Sequence, residues 1–203
     1  MEGVPVANKC YIFLVPAVIA FASFVMGYLL VYFTMVEDYI REYHDYTLRQ
    51  TEFYFGLTTT LLPLGALLSS FFYNRLLARL GENRTMQLMD VVVVLGVGLQ
   101  VVTIWTPVLC ISRLLIGVFC GVTFGLVPTF IVSITPSFYR GVTGTFSQVG
   151  MTMGIMFAYV MGESLDDHYF SELTALRIFL GFPIFCTVLH FILITFMFQF
   201  DSL

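Results

Sequence analysis

The sequence predicts an all-α integral membrane fold, with six spanning helices and both termini on the inner side. Three observations carry that prediction. The first is composition: the 203 residues are 59% hydrophobic and only 11% charged, and the mean hydropathy is +0.92. Soluble domains carry about a quarter charged residues. The second is a set of six stretches free of Lys, Arg, Asp and Glu: Cys10–Val36, Phe53–Asn74, Val91–Ser112, Leu114–Tyr139, Gly141–Gly162 and Ile178–Phe200. Each is at least 22 residues long, and about 20 are enough for a helix to cross a bilayer. The third is charge placement. With the N-terminus inside, the inner segments hold Lys9, Arg75, Arg79, Arg84 and Arg140, whereas nine of the 13 acids fall in the outer loops. Arg41 and Arg49 are the outer exceptions. The positive-inside rule therefore places both termini on the cytoplasmic or matrix side.

Taken in order, the first helix is expected over about 10–34, and an acidic, Tyr-rich outer loop, VEDYIREYHDYTLRQTE, follows it. A second helix over 53–73 leads into a basic inner turn, NRLLARLGENRT, and a third helix covers 86–105. Thr106-Pro107 makes a tight outer turn into the fourth, 109–132. The fifth covers 141–162, and the polar loop ESLDDHYFSE leads to the sixth, 175–198. No long linker separates these helices, so residues 1–203 are expected to form a single membrane domain. A cleaved signal peptide is not expected, because the first apolar run is too long and no small-residue cleavage site follows it.

Gly117, Gly121 and Gly125 recur every fourth residue on the fourth helix, and Gly150 and Gly154 repeat the spacing on the fifth. Small residues at this spacing let helices approach closely, and within lipid that close packing drives association. Cys10, Cys110, Cys120 and Cys186 lack any metal-ligand spacing. His190 sits inside the sixth helix and is expected to be neutral and hydrogen-bonded to a neighbouring helix. No nucleophile–base pair, metal cluster or phosphate-cradling loop stands out. No enzymatic activity, cofactor, metal or nucleic-acid partner is therefore expected.

Two segments go beyond topology: GALLSSFFYNRLLARLGENRTM at 65–86 and SRLLIGVFCGVTFGLVPTFIVSITPSFYRGVTGTFSQVGMTMGI at 112–155. With Arg113, Gly117, Gly121, Pro128, Pro136, Arg140-Gly141, Gly144, Gln148 and Gly154 in frame, the chain resembles the N-terminal half of a sugar porter. That family is the hexose-facilitator branch of the major facilitator superfamily. Gly65, Arg79 and Gly81 match its loop between helices two and three. Gly27-Tyr28 and Leu176-Arg177 to Pro183 resemble its first and sixth helices more weakly. The resemblance implies one six-helix half of a twelve-helix architecture. The sequence ends at FMFQFDSL, where the family continues into a Pro-Glu-Ser-Pro-Arg signature, so the second half is expected to be absent.

The resemblance also implies site residues. The family's arginine after helix four belongs to an inner-face charge network that latches a closed state. Arg140 and Arg79 match that network, but the positions of their acidic partners hold Ala78 and Ser133. Arg140 is therefore expected to anchor a helix end at the interface, reaching water and lipid phosphate. Asp90 aligns with a polar position near the inner face and is expected to pair with Arg79, Arg84 or Arg140, while Glu82 could substitute for a lost acid. Gln148 matches the helix-five glutamine that hydrogen-bonds sugar, with Thr152 one turn on. Two readings of Gln148 stay open, a hexose contact or a buried bond to a neighbouring helix. For Arg113 the readings are snorkelling or pairing with the acidic outer loops, or a packing role.

The expected function is a structural accessory subunit of a larger membrane complex, inactive in transport and in contact with membrane lipids. The alternative is a hexose transporter working as a homodimer or with a separate second half. The mitochondrial inner membrane and the plasma membrane fit the sequence equally.

Overall fold

The computed structural model describes residues 9–36, 48–102, 105–163 and 172–200. The acidic loop 37–47 and the polar loop 164–171, which carry most of the predicted outer charge, lie outside the described residues, as do both extreme termini. Within the described residues the chain is helical. Helix α1 is Lys9–Val31 and runs into a 3-10 turn, Tyr32–Val36. Leu48–Val102 is a continuous helical element with one non-helical residue, Gly81, which divides it into α2 (48–80) and α3 (82–102). Then follow α4 (Thr106–Ile134), α5 (Arg140–Glu163) and α6 (Glu172–Phe200).

The segment NRLLARLGENRT, expected as a turn, instead extends both helices. Leu76, Leu77 and Leu80 are strong helix formers, so α2 continues through Arg75 and Arg79 until a single residue breaks it. At Gly81 φ is 77° and ψ is 171°, a region of backbone space open almost only to glycine. One residue thus reverses the chain. At the opposite end of the bundle Trp105 precedes the first turn of α4, and the proline beside it, Pro107, sits where a missing N–H costs nothing.

Among the described residues, four helices are long and apolar enough to cross a membrane: Ile12–Val36, Glu52–Val102, Thr106–Ile134 and Arg177–Met197. The second, 51 residues long, is the pair folded at Gly81. Helix α5 is not among them, because Thr143, Thr145, Ser147, Gln148, Thr152 and five glycines dilute its apolar content.

Glycine contacts set the packing. A Cβ added to Gly117 would strike the Leu62 carbonyl oxygen, and one on Gly65 would strike that of Leu114, so α2 and α4 cross with their backbones touching. Gly121 continues the seam against Ala66 and Ser69. A second seam joins α1 and α5, where Gly154 abuts the Phe24 carbonyl, Gly27 that of Met151, and Gly150 lies 2.8 Å (measured from an added Cβ) from that of Ala20. Helix α3 meets α4 at Gly96, against Ile116. Helix α6 covers α1 and α3, with the Tyr28 hydroxyl donating to the Phe179 carbonyl at 2.9 Å.

The core follows α1 and α4, where Ile19, Tyr28, Leu29, Ile116, Leu126 and Ile131 are buried. The outer faces are as apolar as the core: Phe53, Leu67 and Phe71 on α2 and Phe185 and Phe196 on α6 are exposed. Patches of that size would be an aggregation hazard in water and are the normal surface in lipid.

The seams predict unequal responses to one added methyl group. Gly117→Ala should destabilise by about 1–3 kcal/mol, because a backbone carbonyl cannot move aside. Gly125→Ala, whose Cβ would sit 3.6 Å from the Tyr73 ring, should be neutral or stabilising by up to about 1 kcal/mol. Thermal unfolding in one detergent would compare the two. Gly81→Ala has open space around it, so its expected cost of about 1–3 kcal/mol is conformational strain alone.

Candidate functional site

Five of the residues singled out from the sequence fall in three places. Arg79 and Arg140 lie at the Gly81 end of the bundle, Asp90 lies inside it, and Gln148 and Thr152 lie on an open face.

At the Gly81 end both arginines are exposed, and neither forms an ion pair among the described residues. Arg140 begins α5, and its Nε donates at 3.0 Å to the carbonyl of Thr135, the residue that ends α4. The last carbonyls of a helix lack internal partners and carry partial negative charge, so a guanidinium there is favourable. The same turn is held by the Thr143 hydroxyl, 3.1 Å from the Tyr139 carbonyl and 3.3 Å from Thr135 Oγ1. Tyr139 in turn packs edge-on against Phe13 of α1, ring centroids 5.6 Å apart. Arg140 is thus a tie between two helices. Glu82, the candidate replacement acid, accepts a 3.0 Å hydrogen bond from Ser133. Among the described residues it engages Ser133 and neither arginine.

Asp90 departs from expectation. It pairs with His190, not with Arg79, Arg84 or Arg140: His190 Nδ1 lies 2.9 and 3.0 Å from the two carboxylate oxygens. The physical reason is direction. Asp90 is 2% exposed and faces α6, while the arginines stand at the exposed end. A carboxylate accepts, so Nδ1–H donates. One helical turn away, Gln87 Nε2 donates to Thr195 Oγ1 at 3.0 Å, giving α3 and α6 two polar ties. The Phe21 ring lies over His190, centroids 6.3 Å apart.

Of the readings left open for Arg113, the packing role is the one seen, and the acidic outer loops it could pair with lie outside the described residues. Arg113 neither snorkels nor reaches solvent: about 10 Å along α4 from its start, it is 2% exposed. Its guanidinium carbon lies 3.7 Å from the centroid of Phe33 and 4.9 Å from that of Tyr32, so ring faces cover the cation. Sequence reasoning did not foresee Tyr32 or Gln100, whose side chains bond to each other beside Arg113. A polar residue at position 100 of an apolar helix was the signal available.

Gln148 is exposed, not buried, and its side chain has no hydrogen bond among the described residues. Thr152 is exposed on the same face, its hydroxyl returned to the Gln148 carbonyl at 3.0 Å. Val149, Met153 and Met156 flank them, also exposed. The buried edge of α5 is the opposite one, where Gly154 and Ala158 meet α1. An exposed amide and hydroxyl one turn apart can hydrogen-bond a polyol but provide no acid, base or nucleophile. Pro128 lies within α4, and Gly117, Gly121 and Gly154 form the seams already described.

The family profile described as "Sugar (and other) transporter" matches residues 12–198, and the chain belongs to that family. The facilitated glucose transporter member 3 of solute carrier family 2 from Rattus norvegicus is 32% identical over 156 residues, which is 69% of this chain and 31% of that one. Its counterpart from Pongo abelii is 33% identical over 138 residues, 66% of this chain and 27% of that one. The chain spans about a third of the length of the curated relatives it matches.

Among solved structures, the major facilitator superfamily proton:xylose symporter XylE bound to 6-bromo-6-deoxy-D-glucose superposes with a TM-score of 0.82. The identity is 15%, and the match covers 93% of this chain and 45% of that one. The inward-open xylose transporter XylE from E. coli gives a TM-score of 0.80 at 16% identity, over 91% of this chain and 47% of that one. The fold is therefore half of a major facilitator fold, and the protein is a multi-pass integral membrane protein.

Breaking the α3–α6 pair should be costly. Asp90→Leu or His190→Leu alone should destabilise by about 3–5 kcal/mol, because each leaves a buried polar partner uncompensated. The double Leu variant should cost clearly less than the sum of the two, as a double-mutant cycle in detergent would read.

Proposed function

We propose that this chain is a structural subunit of a larger membrane assembly, built on a sugar-transporter half that no longer moves solute. The carrying observation is the Gly81 end. Where the family resemblance implies acids that pair with Arg79 and Arg140, the chain has Ala78 and Ser133. Arg140 is spent on the Thr135 carbonyl and Glu82 on the Ser133 hydroxyl. Alternating access needs contacts that one state makes and the other breaks, and these bonds are local ties within a single half. Residues 1–203 act in this reading as one six-helix domain with its termini on the inner side. The open face of α5 supports a protein neighbour, because an uncovered amide and hydroxyl in hydrocarbon are unfavourable. Other subunits of the assembly cover it, in the mitochondrial inner membrane or the plasma membrane.

A second reading rests on the same face. Gln148 and Thr152 could contact a hexose if a second copy, or a separate six-helix half, closed over them. The two-fold relation between halves of this fold makes a pair of copies geometrically sensible.

Extraction in mild detergent, a native gel and mass spectrometry of the band should find this chain among several different proteins. Purified and reconstituted into liposomes, it should take up no more hexose than empty vesicles. Hexose uptake that Gln148→Ala abolishes would replace the first reading with the second.

A further inference from the structure

Independently of either reading, the other end of the bundle holds buried hydrogen-bond donors without acceptors. Arg113 Nε and Nη2 and Gln100 Nε2 are all buried, and none has a partner among the described residues. Arg113 is 2% exposed and Gln100 1%. Tyr32 connects them: its ring lies beside the Arg113 guanidinium, and its hydroxyl donates to Gln100 Oε1. That bond fixes the Gln100 amide with its oxygen engaged and its nitrogen free to donate.

The two Arg113 atoms are not an arbitrary pair. Nε and Nη2 form one edge of the planar guanidinium, with N–H bonds running side by side, the edge that grips a carboxylate with two bonds. The rings of Phe33 and Tyr32 offset the cation through its flat faces and leave that edge untouched. No carboxylate of the described residues is bonded to it. A buried guanidinium with a free two-donor edge, beside a third free donor, has the polarity of an anion site.

We propose that Arg113 and Gln100 bind a small monovalent anion, a halide or a simple carboxylate, beneath the Tyr32–Val36 turn. The burial of every donor restricts the ligand to a few atoms, and the single positive charge matches a single negative one. Binding would lock the 3-10 turn, α3 and α4 together, because each contributes one member of the cluster.

The test is thermal unfolding of the purified chain, titrated with sodium chloride or sodium formate against sodium isethionate at constant ionic strength. The wild-type chain should show a saturable rise in Tm of about 3 °C or more with the small anions, and Arg113→Gln should show none. A wild-type Tm indifferent to the anion would overturn the site and leave ordered water as the partner of these donors. An Arg113→Gln variant that still responds would equally overturn it. Should that variant not fold, Gln100→Leu keeps the cation and removes one donor. A raised half-saturating concentration in Gln100→Leu supports the site, and an unchanged one rejects it.

Discussion

Everything in this bundle depends on backbones that touch. In hydrocarbon the surrounding lipid is as apolar as the core, so helices gain little from burying leucine and must gain from close contact. The α2–α4 and α1–α5 seams supply that contact. At Gly117, Gly65, Gly27 and Gly154 the neighbouring helix presents a backbone oxygen where any side chain would begin. The seams fix two helix pairs, and α3 and α6 complete the bundle around them. The near-continuous core along α1 and α4 follows, because those helices each serve a seam and also face the interior.

Polar residues then specify what packing alone leaves free. Apolar surfaces slide and rotate at little cost, but a buried carboxylate or amide in lipid has to meet its partner. Asp90 with His190 and Gln87 with Thr195 set the register of α3 against α6. At the Gly81 end the work is done by exposed, weaker ties, Arg140 to Thr135 and Ser133 to Glu82. One end of the molecule is thus stitched by surface hydrogen bonds, and the middle by buried ones.

The helical spans were legible because a charge-free run of bilayer length rarely forms anything but a membrane-crossing helix. The glycine spacing on α4 and α5 could be read because it repeats. Partnership was not legible. Asp90 has arginines nearer in the chain than His190, which stands 100 positions away, and nothing in a single sequence states which way a side chain on α3 points. The buried reading of Gln148 failed for a related reason: a glutamine in a transmembrane stretch looks buried until it is known that its face of α5 is open. The choice among the readings of Arg113 could not be made from the sequence, because charge ordinarily reports the water interface, and here two aromatic rings stand in for water. The inner turn was misjudged because NRLLARL reads as basic loop by charge and as helix by propensity, and propensity won up to Gly81.

The weak hydropathy of α5 has a consequence for biogenesis. The other spans are the more apolar ones, whereas α5 carries Gln148, four Ser and Thr hydroxyls and five glycines and gains less from lipid alone. Its glycine edge fits α1, a helix synthesised more than 100 residues earlier. The edge that α5 buries therefore belongs to a helix far earlier in the chain. The order in which the ribosome delivers the helices thus differs from the order in which they lie side by side.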